Sequence, residues 1–577
     1  MNNHPNPQFS RPAFYLLDGE WEFEFDDGAQ YWKKSRANKA LLKHQIQVPF
    51  APESALSGIG DREFHCRLWY AKNFTLPASF SGKHVLLHFG ACDYKTTVYV
   101  NAQKVREHIG GYTPFFFDIT KFLQDGQNRI TVGVADDTRD PRIPSGKQCP
   151  LYHSFSALYT RTSGIWQSVW LEACGENRID HVRFTTRIDG EIQAQVAFYR
   201  SAVGCELTMD LSLDGKPIAQ ICEPVTAFDY RKTFHIKNPK LWEAGNGVLY
   251  DCRMTLKNIA TGETVDCVDT YFGIREVSFS DNRFTLNGKP LFLRMVLDQG
   301  FYPDGIYTAP DDEALVNDIK IAMEMGFNGA RLHEKVFDPR YLYHADRLGY
   351  LTFGEFPDMG LSIDQFESIS YMLPEWLAEM KRDINHPSIV AWCPFNETGT
   401  NDFFHEQPQC DRVIETVYYM TKQYDPSRPV FDTSGSIHTS VTDIYDVHEY
   451  TQTEEKFVEN MGSGYHYNTY GDHDGMRDGQ PYMVTEFGGI HWNVDDDGGH
   501  SWGYGQAPQT EEEFLTRFEM MMRTLLGNPV CTGFCYTQLY DVEQEKNGLY
   551  TYGRVPKFDT ARIRAAVSAK AAMENEK

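Results

Sequence analysis

Nowhere does this chain approach the ~20 uncharged apolar residues that a membrane-spanning helix needs. Its N-terminus, MNNHPNPQFSRPAFYLLDGEW, has no basic segment leading into an apolar one, so a secretory signal is not expected and the sequence reads as cytoplasmic. Positive charge is scarce: 55 Lys and Arg face 80 Asp and Glu, a formal net charge of −25. Repulsion on that scale excludes nucleic acid and anionic membranes as expected partners. No CxxC pair or framework spacing organises the 12 cysteines, and Cys393, Cys531 and Cys535 sit inside apolar runs, as reduced, buried thiols do. GxSxG, the Walker loop and the Rossmann GxGxxG are missing, which removes serine-hydrolase, nucleotide and dehydrogenase chemistry. Internal repeats and low-complexity segments are missing too.

What is present is more than one core can serve. At a soft prior of about 150 residues per domain, 577 residues suggest three domains. Residues 1–175 carry short alternating or apolar runs broken by turns (GEWEFEF, KHVLLHFG, TTVYVNAQKV, NRITVGVAD, SGIWQSVWLEA), the pattern of an antiparallel sandwich, here expected to be jelly-roll-like. A second all-β block over 176–276 has turn signals at Asp189-Gly190, Asp214-Gly215 and Thr261-Gly262 and the size of an immunoglobulin-like sandwich. From 277 to 577 apolar strands alternate with amphipathic helices. The strands are PLFLRMVL, FNGARLH, YLTFGEF, IVAWCPFNE, PVFDTSG, IYDVHEY, PYMVTEFGG and CTGFCYTQLYD. Eight such units in about 300 residues predict a (β/α)8 TIM barrel.

A barrel of this kind carries its chemistry at the C-terminal ends of its strands. There the sequence offers Asp298, Arg331 with His333, Glu355, Asn396 with Glu397, His448 with Tyr450, Glu486, and Gln538 with Asp541. Acids dominate. Glu397 ends the fourth strand and Glu486 the seventh, across the barrel from each other, so the two can face one another over a bound ring. Such a pair suits glycosidic cleavage, in which one carboxylic acid protonates the leaving oxygen and the other, ionised, attacks the anomeric carbon. Glu397 is expected to be kept protonated by its surroundings. Asn396 is placed to hydrogen-bond a sugar hydroxyl, and Tyr450 to hold Glu486 ionised. Arg331 is either a plain ion-pair partner in the barrel mouth or a support for Glu486. His333 and His448 read as pocket-wall residues, since neither has the spacing of a zinc site, and no metal or cofactor is expected. The Asp-rich HWNVDDDGGHSWGYG lacks calcium-loop spacing and reads as a solvated lid, with Trp492 and Trp502 as candidate sugar-stacking rings.

The order of these blocks, together with LLDGEWEF, TRTSGIWQSVWLE, FGIREV, GFNGARLH, DPRYLYHADRLGYLTFGEFP, Asn396-Glu397 and TEFGG, resembles glycoside hydrolase family 2 over nearly the whole chain. The resemblance implies a retaining exo-β-glycosidase with Glu397 as acid/base and Glu486 as nucleophile. It also implies a carbohydrate substrate, and a homo-oligomer built on the all-β domains would be in keeping with it. The family's β-glucuronidases carry an Asn-x-Lys pair after the eighth strand, where this chain has Glu545-Lys546-Asn547; an acid there repels a carboxylate. A Trp usual at the end of strand eight is replaced by Tyr536 and Gln538. A β-galactosidase is therefore the first expectation, followed by a β-glucuronidase or β-galacturonidase, an α-L-arabinosidase or a β-mannosidase. The alternative of another class is a non-catalytic carbohydrate-binding protein.

Overall fold

The chain is described by a computed structural model over residues 4–30, 41–280, 283–399, 409–435, 437–464, 479–494 and 501–574. Its first layer pair is an antiparallel sandwich. A four-stranded sheet (Phe14–Leu16, Val169–Cys174, His84–Phe89, Phe115–Asp118) faces a six-stranded one running from His44–Val48 through Gly19–Phe25, Arg67–Thr75, Gln127–Ala135 and Lys95–Val100 to Gln103–Ile109. Alternation sets the faces: Trp21, Phe23, Val98, Val132 and Leu171 point inward into one core.

A second sandwich follows, with three strands (Ile179–Thr186, Glu191–Phe198, Asp229–His235) packed on four (Lys216–Pro224, Cys205–Leu213, Tyr250–Asn258, Thr264–Phe272). Seven antiparallel strands in about 100 residues are immunoglobulin-like. Arg11 ties the two sandwiches together, reaching Glu172 Oε2 at 2.6 Å, Asp266 Oδ1 at 3.0 Å and the carbonyl of Ile179 at 2.6 Å. Arg275 ties the second to the barrel through the carbonyls of Pro387 and Ile389.

The barrel strands are the first (Leu293–Asp298), second (Gly329–Leu332), third (Leu351–Glu355), fourth (Ile389–Cys393), sixth (Tyr445–Glu449), seventh (Tyr482–Gly488) and eighth (Cys531–Thr537), all paired in parallel. Nearly every residue in them is buried, because helices cover the outer face and side chains fill the inside. The expected fifth strand differs. Residues 430–434 make only single parallel bridges to the fourth, Trp392 with Val430 and Asn396 with Ser434. On the other side one backbone bond, from the Asp443 amide to the Val430 carbonyl at 3.1 Å, is joined by side-chain links: Ser434 Oγ and the Gly435 amide both bond Asp446 Oδ2 at 2.9 Å. The ring closes largely by side-chain hydrogen bonds where a ladder was expected.

The helices obey their termini. Asp311 caps Asp312–Glu324 by accepting from the Ala314 amide, Gly349 ends Pro339–Leu348 in the left-handed conformation, and Thr510 caps Glu511–Gly527. The closing segment is helical over Thr560–Val567 and then makes one 3₁₀ turn. All 12 cysteines are unpaired. Among the described residues no helix is long and apolar enough to cross a membrane.

Candidate active site

At the C-terminal mouth of the barrel Arg331, fully buried, organises the site. Its Nη1 donates to Glu486 Oε1 at 3.0 Å and to the Thr485 carbonyl at 3.0 Å, its Nη2 to Asn396 Oδ1 at 3.0 Å, and its Nε to Glu355 Oε1 at 2.5 Å. Arg331 thus contacts Glu486 directly, and Glu355 stands behind: its other oxygen meets His333 Nδ1 at 3.1 Å, while His333 Nε2 lies 3.9 Å from Glu486 Oε1. A guanidinium holding two carboxylates and an amide oxygen fixes three side chains from three strands with one planar group.

The sixth and seventh strands set His448 directly beside Glu486 in the pairing, where a register irregularity between Val447 and His448 re-aims the side chain. Gly435, with φ of 69°, is obligatory behind it, because a Cβ there would lie 1.9 Å from the His448 ring. His448 Nδ1 is 2.7 Å from Glu397 Oε1, and its Nε2 is 3.6 Å from Glu486 Oε1. One carboxylate oxygen of Glu397, one of Glu486 and a ring nitrogen of His448 all lie within 4.8 Å of one another. Three such atoms could also ligate a metal ion.

Glu397 itself stands beyond the fourth strand proper, which ends at Cys393. It is held in left-handed backbone at φ of 51°, with its amide on the Ser434 carbonyl at 2.9 Å. A non-glycine residue there costs about 1–2 kcal/mol, a strain typical of reacting groups. Its charge state corrects the expectation from sequence. Burial pushes the Glu397 carboxyl up, but the His448 hydrogen bond and charge override it and hold it down at about 2. Burial likewise opposes charge on His448, yet Glu486 and Glu397 hold its imidazolium above the usual 6.5. Glu486 is also lowered: against burial and the Glu397 charge act His448, His333 and Arg331. The arrangement thus holds one proton on the imidazole between two carboxylates.

Tyr450 donates to Glu486 Oε2 and lies 3.1 Å from Thr537 Oγ1. Tyr504 stacks on Tyr450 at 3.5 Å and 5°, and Trp502 meets Tyr504 edge-on at 4.9 Å. Asn396 spends its oxygen on Arg331, while its Nδ2 is buried with no hydrogen-bond partner among the described residues. Sequence reasoning missed Tyr504, although it follows TEFGG closely.

It also missed a loop of the first sandwich that reaches the mouth. Ser145 and Gly146 donate to the Met359 carbonyl at 2.9 and 3.1 Å, and only glycine fits at 146, where a Cβ would sit 2.3 Å from the Glu334 carbonyl. This carries in Lys147, 6% exposed, whose side chain makes no hydrogen bond or ion pair among the described residues. From the same loop Tyr159 donates to Glu545 Oε2 at 2.5 Å. Burial pushes Glu545 up to about 7, opposed by that bond and by the Lys147 charge. No local signal in the sequence joins Lys147 to a site some 250 residues away; the fold does.

Three expected substrate-binding residues are placed otherwise. Asp298 is buried, and its carboxylate is consumed by Tyr540 at 2.5 Å, Tyr341 at 3.0 Å and the Gly300 amide at 2.9 Å, which makes it an anchor of the barrel. Trp492 packs against Phe514 and Phe558, each at 6.3 Å, on the helix layer rather than over the carboxylates. Gln538 is fully buried, with its oxygen on Gln299 at 2.9 Å and its nitrogen on Asn547 at 2.8 Å. The Asp-rich lid expected over 493–500 lies, from 495 on, outside the described residues.

Two β-sandwiches and a TIM barrel with facing carboxylates on strands four and seven define a three-domain protein of the glycosidase type. Sequence models of the glycosyl hydrolases family 2 sugar binding domain, of glycosyl hydrolases family 2, and of the glycosyl hydrolases family 2 TIM barrel domain match residues 32–172, 177–275 and 277–518. The chain belongs to glycoside hydrolase family 2. It is 27% identical to a β-galactosidase of Thermoanaerobacter pseudethanolicus over 69% of this chain and 52% of that one. With a β-glucuronidase of Canis lupus familiaris the identity is 26%, over 82% and 74%. A β-glucuronidase of Bifidobacterium dentium complexed with coumarin-3-O-glucuronide shares the fold, with a TM-score of 0.81 at 20% identity over 97% and 98% of the two chains. The chain matches about half the length of the first of these curated relatives.

Proposed function

We propose that the chain is a retaining, exo-acting β-glycosidase working by double displacement. Glu486, oriented by Arg331 and Tyr450, attacks the anomeric carbon and forms a glycosyl-enzyme. Glu397 gives the leaving oxygen a proton, which it receives from His448 Nδ1 across 2.7 Å. Glu397 then takes a proton from water, which releases the sugar with its configuration retained. The observation that carries this reading is the approach of the two carboxylates to within 4.8 Å. Retention goes with carboxyl groups about 5–5.5 Å apart, inversion with about 6.5–9.5 Å. A carbohydrate-binding protein would gain nothing from two ionised acids sharing one imidazolium.

The deciding experiment uses aryl glycosides. Glu486→Ala abolishes turnover and recovers part of it with azide or formate, while Glu397→Ala spares substrates whose leaving group needs no proton. Near-normal activity of both variants on every substrate, or inversion seen by NMR, defeats the reading.

For the sugar, β-galactoside is the first reading, supported by Glu545 standing where a carboxylate clamp would be. A second reading, a β-linked uronic acid, has its own support in the unpaired ammonium of Lys147. Kinetics on 4-nitrophenyl galactoside, glucuronide and galacturonide separate the two. Lys147→Met leaves galactoside turnover intact under the first reading and removes uronide turnover under the second. A cytoplasmic setting accords with the unpaired cysteines.

A further inference from the structure

Where the two sandwiches meet the barrel, a cleft of about 200 Å³ opens to solvent, and it shares no residue with the carboxylate pair. Among the described residues, four buried donors of its lining have no hydrogen-bond partner: Arg178 Nη1, Arg382 Nη1, Gln8 Nε2 and Gln167 Nε2. Beside them stand the acceptor Asn6 Oδ1 and the ring nitrogen His88 Nε2, which lies 3.4 Å from Glu172 Oε2. Leaving several donors unsatisfied at one place is costly, and native proteins seldom do so without a ligand or water to receive them.

The charges there are settled in pairs with one exception. Arg382 is closed on Asp383 by two bonds of 2.6 Å, Lys381 on Asp180 at 2.9 Å, Asp338 on Arg340 at 2.8 Å, and Arg11 on Glu172 and Asp266. Arg178, 2% exposed, has no carboxylate partner among the described residues. Its guanidinium lies 3.7 Å over the Tyr199 ring and 5.7 Å from that of Phe116. Phe116 continues through His88 to Trp170 as a stack of rings at 5.1 and 4.9 Å, so the wall beside the cation is aromatic. A planar fork of donors next to a flat apolar wall matches a carboxylate carried on a ring.

We propose that this three-domain junction is a second binding site, which takes a small organic monoanion, one aryl or sugar ring bearing a carboxylate. Its carboxylate accepts from Arg178 and the glutamine amides, and its ring lies against Phe116. A volume of about 200 Å³ has room for one such ring.

The probe is benzoate, titrated into the full-length protein by calorimetry and ligand-observed NMR, with benzamide as its uncharged isostere and inorganic phosphate as an anion without a ring. Benzoate binds the native protein and Tyr450→Phe alike, and Arg178→Gln weakens it by about tenfold or more. Phe116→Ala, at a ring 37% exposed, weakens benzoate in the same way should Arg178→Gln fail to fold. The proposal is overturned if benzamide or phosphate binds as well as benzoate. It is equally overturned if benzoate binding survives Arg178→Gln and Phe116→Ala or vanishes in Tyr450→Phe, or if benzoate shows no saturable binding by about 10 mM.

Discussion

Replacing His448 by Gln keeps a hydrogen-bond donor beside Glu397 and removes the positive charge. In the native protein, the one proton of the trio sits on an imidazole flanked by two carboxylates, and its folded value is above 6.5. A group raised in this way keeps its proton below that value and loses it as pH rises through it, so the alkaline limb of kcat/KM belongs to the His448 proton. Without the imidazole the proton must reside on Glu397, whose ordinary value is 4.5 and which burial pushes upward while the Lys147 and Arg331 charges lower it. The ordinary values of imidazole and carboxyl differ by about 2, so the limb moves down by about 1–2 pH units. Glu397 also loses a charge-assisted bond. At 37% exposure, solvent screening leaves it worth about 1 kcal/mol. That contribution is present above pH 4.5 and disappears as pH falls toward 2. The assay is kcat/KM against pH on two aryl glycosides, one with a poor and one with an activated leaving group. Only the poor leaving group shows the full displacement. An alkaline limb that stays put, or moves equally for both substrates, refutes the proton relay.

Further outcomes follow from the same contacts. Arg331→Met leaves Glu355 and Glu486 buried without their cation and lowers unfolding free energy by about 3–5 kcal/mol, measured by denaturant titration; a loss below about 1 kcal/mol contradicts the hub role. Tyr450→Phe removes a charge-assisted bond to Glu486 and lowers kcat by a factor corresponding to about 1.5–3 kcal/mol, with burst kinetics showing which step slows. Trp492→Ala lowers stability by about 2–3 kcal/mol through lost packing on Phe514 and Phe558 and leaves KM unchanged; a large KM effect would restore the sugar-stacking role.

The barrel was legible because its strands are buried on both faces and read as near-continuous apolar runs, while its helices show a 3.6-residue period between clear caps. The fifth strand was legible as a segment, and its backbone does pair with the fourth; towards the sixth, the polar Asp432 and Ser434 bring in side-chain links that the sequence pattern does not report. The carboxylate pair followed from topology, since strand ends converge on one mouth whatever the loops do. Asp298 shows the limit of that rule. It occupies a strand end like Glu486, yet two tyrosines from elsewhere in the chain consume its oxygens, and linear position does not report hydrogen-bond occupancy. Glu397 shows another: its protonation depends on an imidazole 51 positions on.

The loop that brings Lys147 and Tyr159 to the barrel mouth belongs to a different domain from Glu397 and Glu486. On the proposed function, selectivity can therefore drift by insertions or exchanges in an outer module while the carboxylate pair stays untouched. An isolated barrel, however well folded, would lack that part of its own mouth.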